Sequence, residues 1–236
     1  MLDKLSTGSQ ILDSLLNGGF EKGIITTLYG PAGSGKSNIC MLATLGVVNQ
    51  GKKVVFVDTE GGFSAERVQQ LERKNFRGVM KNILLLNPTK FEEQKKIFQK
   101  LNDTVNAEKV GLIVVDSIAM LYRLQKGSEE EIRVTNREMA NQLAILSEIA
   151  RKKTIPVLVT NQVYADFNSK DFKMVGGDLL KYWSKCIIKL EALESGIRKA
   201  SISKHRSIAE GKSACFEIVE SGLREAQEPK KKFSLF

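Results

Sequence analysis

Gly30-Pro31-Ala32-Gly33-Ser34-Gly35-Lys36-Ser37 fits the pattern G-x-x-x-x-G-K-[ST] without a mismatch,. Each residue type has a physical task in such a loop. Glycines let successive backbone N–H groups turn inward around phosphate oxygens, a lysine brings a point charge to the β and γ oxygens, and the final hydroxyl can coordinate Mg2+. The flanks supply the context that a chance Gly-rich turn would lack. Ile24 to Tyr29 predicts a buried strand entering the loop, and Ser37 to Gln50 predicts the helix leaving it,. The stretch from Gly30 to Ser37 therefore predicts a nucleoside triphosphate ligand with Mg2+, carried on an α/β fold.

Working outward, the same alternation repeats. Lys53 to Asp58 reads as a strand, Ser64 to Lys74 as a helix, Asn82 to Leu86 as a strand, Glu92 to Asn106 as a helix and Leu112 to Asp116 as a strand,. Met139, Leu143, Leu146 and Ala150 then recur at spacings that give one apolar helix face, and Lys152-Lys153 suit that helix's negative end,. Pro156 to Asn161 is a further apolar strand. Strands apolar on both faces and separated by helices predict a mostly parallel sheet covered on both sides. Beyond Asn161 the pattern changes: Val163 to Gly177 lacks a period and reads as a mobile loop,. Cys186 to Glu191, Arg198 to Lys204 and Ser213 to Val219 read as an antiparallel extension,. The expectation is one domain over residues 1–224 and a basic, disordered tail over 225–236,.

The bulk properties agree with a soluble, cytoplasmic protein. The 236 residues suffice for one well-cored α/β domain, and no apolar run approaches the roughly 20 residues that span a bilayer,. Met1-Leu2-Asp3-Lys4 has no signal-peptide character,. Cys40, Cys186 and Cys215 are scattered and form no C-x-x-C pair, so buried thiols are expected and not a disulfide framework or metal site,. A net charge of +9 points to a polyanionic partner, against the plainer reading of a Lys-rich solvated surface,. That charge is patterned: Lys199 to Lys212 and Lys230-Lys231-Lys232 are basic, while Ser128-Glu129-Glu130-Glu131 is acidic.

Three polar residues end predicted strands on the edge where an open parallel sheet holds its ligand. Asp116 is placed to join Ser37 in the Mg2+ shell, its alternative being a cap on the next helix,. Glu60 can orient and deprotonate an attacking water, and Gln162 can sense the γ-phosphate and pass its presence to the following loop,. With Lys36 these are the catalytic candidates. For nucleic acid, the loop after Gln162 offers Tyr164, Phe167, Lys170, Phe172 and Lys173, and the segment after Asp116 offers Tyr122, Arg123 and Lys126. Aromatics interleaved with cations stack bases and neutralise phosphates. Packing of the loop onto the domain is the alternative for the aromatics. His205, the sole histidine, reads as a surface residue in a basic turn.

Taken together, Leu5-Ser6-Thr7-Gly8, Leu12 to Gly19, the phosphate loop, Asp58-Thr59-Glu60-Gly61, Phe63 with Glu66-Arg67, Val115-Asp116-Ser117, Leu121-Tyr122-Arg123, Thr160-Asn161-Gln162-Val163 and Gly176-Gly177 resemble the ATPase core of RecA/RadA recombinases over nearly the whole chain. The resemblance is closest to an archaeal paralogue of RadA. It implies a RecA-like fold, Lys36 and Ser37 as the Walker A pair, Asp116 as the Walker B carboxylate, Glu60 as the catalytic glutamate and Gln162 as the switch glutamine. Two DNA-facing loops are then expected near Arg123 to Arg133 and Tyr164 to Val175. No N-terminal helix-hairpin-helix domain or polymerising linker is expected. Lys204-His205-Arg206 stands where RadA-like proteins carry an Asp-Ser-Pro cap, so Lys204 and Arg206 could form a finger toward a neighbouring subunit,. The implied role is an accessory one in homologous recombination and repair: binding ATP and single-stranded or branched DNA, hydrolysing ATP very weakly, performing no strand exchange, and acting with RadA and the Holliday-junction resolvase as a dimer or small oligomer. An active strand-exchange ATPase and a KaiC-type oligomeric ATPase are the alternatives. Lys230 to Phe236 loosely resembles a sliding-clamp-binding peptide.

Overall fold

A computed structural model describes residues 4–125, 128–165 and 172–229. In chain order the elements are β1 (Lys4–Leu5), α1 (Gln10–Leu15), β2 (Phe20–Glu21), β3 (Ile25–Tyr29), α2 (Lys36–Val48), β4 (Lys53–Asp58), α3 (Ala65–Leu71), α4 (Phe76–Lys81), β5 (Ile83–Leu86), α5 (Phe91–Ala107) and β6 (Val110–Asp116). The second half holds α6 (Met120–Arg123), α7 (Glu129–Lys153), β7 (Val157–Asn161), β8 (Val163–Ala165), β9 (Phe172–Met174), α8 (Gly177–Trp183), β10 (Cys186–Ala192), β11 (Ile197–His205), β12 (Ser213–Val219) and β13 (Gly222–Ala226).

One nine-stranded sheet organises the molecule, in the order β13-β12-β11-β10-β3-β7-β6-β4-β5. From β10 to β5 every neighbouring pair is parallel; β11, β12 and β13 extend the sheet antiparallel. Alternate residues of β4 serve the two faces, as a period of two requires. Val54 and Phe56 join α2 residues such as Ile39 and Leu45, whereas Val55 and Val57 join Phe98 and Leu101 of α5 and Leu143 and Leu146 of α7. These four side chains at the centre of β4 are fully buried, which is why Val54 to Val57 form an unbroken apolar run,.

Helix ends obey local chemistry. In α7, Ser128 accepts from the Glu131 N–H while Glu131 accepts from the Ser128 N–H at 2.7 Å, so part of the acidic run is a capping box,. Arg151, Lys152 and Lys153 close the same helix against its negative pole,.

Several expectations change. The helix expected over Ser64 to Lys74 stops at Leu71, and α4 follows as a separate turn. The expected loop over Val163 to Gly177 is framed by an antiparallel pair, with Val163 opposite Met174 and Tyr164 opposite Lys173. Gly176, at φ 61°, then caps the N-terminus of α8, where the sequence had suggested only the end of a loop,. Strand β10 is not antiparallel on both sides: Cys186 to Lys189 run parallel to Thr26 to Tyr29 of β3. Strand β13 carries Glu225 and Ala226, two residues past the expected domain boundary. Lys230 to Phe236 lie outside the described residues. The three cysteines are buried and free, and among the described residues no helix is long and apolar enough to cross a membrane.

Candidate functional site

The parallel register brings the candidate residues together. Tyr29 lies opposite Asn161, and Asp58 opposite Asp116, so the C-terminal ends of β3, β7, β6 and β4 share one edge of the sheet. The phosphate loop leaves β3 there. Gly30 is pressed against β10: a Cβ at this position would sit 2.1 Å from the Leu190 carbonyl oxygen, which excludes every side chain. Gly35, at φ 101°, opens α2, and the first turn of that 13-residue helix directs its free N–H groups and dipole into the loop,.

Lys36 is buried, and its ammonium donates to the carbonyls of Gly30 and Pro31, each at 2.9 Å. Burial lowers its pKa, opposed by the nearby Glu60 and Asp116 carboxylates. A phosphate would give this cation a better acceptor than two carbonyls. Asp116 is also buried. Thr160 Oγ1 donates to its Oδ1, while Oδ2 has no hydrogen-bond partner in a buried setting. Burial raises the Asp116 pKa, the Ser37 and Thr160 hydroxyls lower it, and Glu60 and Asp58 add a smaller upward push. A Cβ on Gly62 would lie 3.4 Å from Ser37 Oγ and 3.8 Å from Asp116 Oδ2, so these two oxygens converge on one point. A buried, unsatisfied carboxylate oxygen beside a hydroxyl and a phosphate cradle fits Mg2+, which takes few protein ligands and completes its shell with phosphate and water. Among the described residues no cluster of three or more His, Cys, Asp or Glu side chains offers an all-protein metal cage.

Glu60 is held by its own turn. The buried Asp58 carboxylate accepts from the N–H groups of Glu60 (3.1 Å), Gly62 (3.1 Å) and Phe63 (2.9 Å). Thr59 fastens this turn to the end of β6: its hydroxyl donates to Ser117 O at 2.7 Å and accepts from Ser117 N at 3.0 Å. Gln162 closes the far side. Its Nε2 donates to Glu60 Oε2 at 2.8 Å, and its Oε1 accepts from Arg123 Nη1 at 3.3 Å. Directly behind it, Asn161 Nδ2 donates to Val175 O at 2.8 Å, which pins the exit of the β8–β9 hairpin to the same strand end.

Sequence reading overlooked part of this enclosure. Arg198, at the start of β11, donates through Nε to Gly33 O at 3.3 Å. With Ile218 of β12 it walls a cavity of about 450 Å3 that also contains Lys36, Ser37, Glu60 and Gln162. Arg67 joins α2 to the β12–β13 turn, donating to Asn38 Oδ1 at 2.9 Å, Glu220 O at 3.0 Å and Val219 O at 2.8 Å. Neither Asp58 nor Thr160 fits a phosphate-loop pattern, and Arg198 lies 162 residues from Lys36, so only the register of β10 and β11 could reveal it.

The nucleic-acid candidates divide. Arg123 ends α6 and reaches Gln162, and Tyr164 is 49% exposed on β8. Phe172 and Lys173 belong to β9 by backbone; Lys126, Phe167 and Lys170 lie outside the described residues. Glu129 to Arg133, expected within a DNA-facing loop, form the first turns of α7 instead, because the Ser128 capping box starts the helix there.

Lys204-His205-Arg206 sits at the opposite end of the sheet. His205 pairs with Cys186, which pairs with Thr26 at the start of β3, far from the loop at that strand's other end. Lys204 Nζ donates to Lys181 O at 2.5 Å, and Arg206 Nη2 meets Glu21 Oε2 at 2.7 Å. Contrary to the surface placement expected for it, the His205 side chain is only 2% exposed. It ends β11 with Nε2 3.6 Å from the buried Glu21 carboxylate.

Comparison with known proteins gives a consistent picture. The family model described as Rad51 matches residues 1–226. A protein of Methanococcoides burtonii named DNA repair and recombination protein RadB is 42% identical over 222 residues, covering 94% of this chain and 98% of its own. The protein of the same name from Methanobrevibacter smithii is 44% identical over 226 residues, covering 93% and 95%. A crystal structure of the RadB recombinase superposes with a TM-score of 0.81 at 39% identity, covering 94% of this chain and all of the other.

Proposed function

Because the chain belongs to the Rad51 family of RecA-like recombinases, among its RadB members, we propose that it is an ATP- and DNA-binding accessory protein of homologous recombination and DNA repair. The observation that carries this reading is the chain of contacts from Glu60 through Gln162 to Arg123. ATP is held by the loop from Gly30 to Ser37. Lys36 exchanges its two carbonyl partners for phosphate oxygens, and Ser37 with Asp116 holds Mg2+, which neutralises phosphate charge when bound. A γ-phosphate beside Glu60 competes for the Gln162 amide. Releasing that amide frees Arg123 and shifts the strand end from which the β8–β9 hairpin departs, altering contacts to DNA.

In this reading ATP is chiefly a conformational ligand. Glu60 can orient a water, but turnover is very weak, and the protein carries out no strand exchange of its own. It acts in the cytoplasm with RadA and the Holliday-junction resolvase, on single-stranded or branched DNA, as a dimer or small oligomer. Residues 1–226 form the core that does this, while the basic Lys230 to Phe236 add phosphate contacts and a weak site for the sliding clamp,. Lys204 and Arg206 serve a neighbouring subunit only if they leave the partners they hold here.

Nucleotide and DNA titrations over a range of salt, for wild type and Lys36→Ala, test this. The expected result is loss of ATP binding by roughly a hundredfold with DNA affinity in the absence of nucleotide retained. DNA affinity indifferent to ATP in the wild type would sink the switch. Strong stimulation of ATP turnover by single-stranded DNA, together with joint-molecule formation, would replace the reading with that of a strand-exchange enzyme. ATP-dependent hexamers would instead favour a KaiC-type ATPase.

A further inference from the structure

Cations and aromatics also gather at the sheet end remote from the phosphate loop. Helix α7 ends there with Arg151, Lys152 and Lys153, and α8 with Lys181, Tyr182 and Trp183. Backbone bonds fix the placement: Lys185 N–H donates to Ile25 O at 3.1 Å and Gly23 N–H to Ile155 O at 3.0 Å, so both helices finish beside the starts of β3 and β7. Trp183, Arg151 and Lys152 line one surface depression. Tyr182 is 72% exposed, the most exposed of the large hydrophobic side chains among the described residues, and its ring meets Trp183 edge-on at 5.5 Å. Lys204, on the Lys181 carbonyl, brings another cation to this corner. Lys152 pairs with Glu148 at 2.5 Å; among the described residues no carboxylate pairs with Arg151, Lys153, Lys181 or Lys185.

Helix dipoles explain basic residues at two C-terminal turns. They do not explain a solvent-facing tyrosine propped against a half-buried tryptophan between those cations. An exposed π-face flanked by unpaired cations is the chemistry that binds single-stranded nucleic acid without reading its sequence.

We propose that this corner is a second nucleic-acid-binding face, on which Arg151, Lys153 and Lys181 hold the phosphate backbone of a single strand and Tyr182 stacks an unpaired base. It rests on the proposed function only for the class of ligand, DNA. Its position opposite the phosphate loop makes its binding independent of ATP, unlike that of the contacts around Arg123.

Trp183 is the sole tryptophan of the chain, so its fluorescence reports from this face. Titration of the full chain with an oligodeoxythymidylate, without nucleotide, is expected to change Trp183 emission, and Lys36→Ala is expected to leave that change intact. Tyr182→Ala should weaken this response about tenfold. Arg151→Ala combined with Lys153→Ala should lower the salt slope of binding by about 1.4, from roughly 0.7 per neutralised phosphate. Unchanged emission overturns the proposal. So does wild-type affinity and salt slope in these variants, or an equal response to inorganic polyphosphate, which has charge but no bases. Failure of ATP to alter DNA affinity in the wild type would count against the switch alone and leave this face standing.

Discussion

Gln162 donates to Glu60 at 2.8 Å, bridging the strand that ends beside the phosphate loop's own strand to the turn that holds a carboxylate over Lys36. The amide is thus occupied by an acidic partner, which a γ-phosphate would have to displace for the proposed switch to operate. Its other end already rests on Arg123.

Replacing Gln162 by Ala should therefore leave ATP affinity within about threefold of wild type while removing the effect of ATP on DNA affinity. For an intact switch that effect is expected to be about tenfold, within the usual range of coupling between sites. DNA titrations with and without ATP measure it; a tenfold coupling that survives in Gln162→Ala means the signal does not pass through this amide.

Asp58→Ala removes the acceptor of three backbone N–H groups in a buried position. Loss of about 3 kcal/mol of stability is expected, because unsatisfied donors remain behind. Asp58→Asn keeps one acceptor oxygen and should recover part of it. Urea unfolding reads both variants, and an Asp58→Ala chain as stable as wild type would show that water satisfies the turn.

Arg198→Ala should weaken ATP binding about tenfold, or roughly 1.4 kcal/mol, and ADP less, since the guanidinium stands at the rim beside Gly33, where it would lend charge to terminal phosphates,. Calorimetric titration with ATP and ADP decides. An equal loss for both nucleotides would make Arg198 a brace for the loop and not a phosphate ligand.

His205 links pH to stability. Burial lowers its pKa below the ordinary 6.5, Lys4 and Arg206 add to that, and Glu21 pulls the other way. Ser207 N–H donates to Nδ1 at 3.1 Å, which requires an unprotonated nitrogen there. With a folded pKa below the unfolded one, the unfolded chain binds the extra proton as pH falls below about 6.5, so stability drops in that window and is complete above it. His205→Gln should flatten this fall relative to wild type. Denaturant midpoints at pH 7.5 and about 5.5 give the comparison, and identical pH dependence in the two proteins would refute it.

The succession of strands and helices along the chain and the phosphate loop could be read from the sequence because their signals are local: a continuous apolar run, a glycine spacing, a helical period. The order of the strands within the sheet could not. Asp116, Glu60 and Gln162 were also legible, since each ends such a run on the edge where ligands bind. Arg198 was not, because its place depends on β10 running parallel to β3, and no residue in Cys186 to Ala192 announces a direction. His205 misled for a related reason. Two flanking cations look like a solvated turn, yet the acid that buries it, Glu21, is 184 residues earlier. The hairpin β8–β9 has too few residues on each strand to establish a period of two.

The wall of the phosphate loop is built late in synthesis. Phe216 and Ile218 lie 3.6 Å and 3.4 Å from where a Cβ on Gly35 would be, and Arg67 is held by carbonyls at 219 and 220. A nascent chain stalled before residue 213 would already carry the complete loop from 30 to 37, but with one side open to water and Arg67 lacking its two carbonyl partners in the β12–β13 turn. The cavity around Lys36 therefore gains its last wall, Ile218, only when the final hairpin has formed, so the part of the chain made last completes a site whose other lining residues were made earlier.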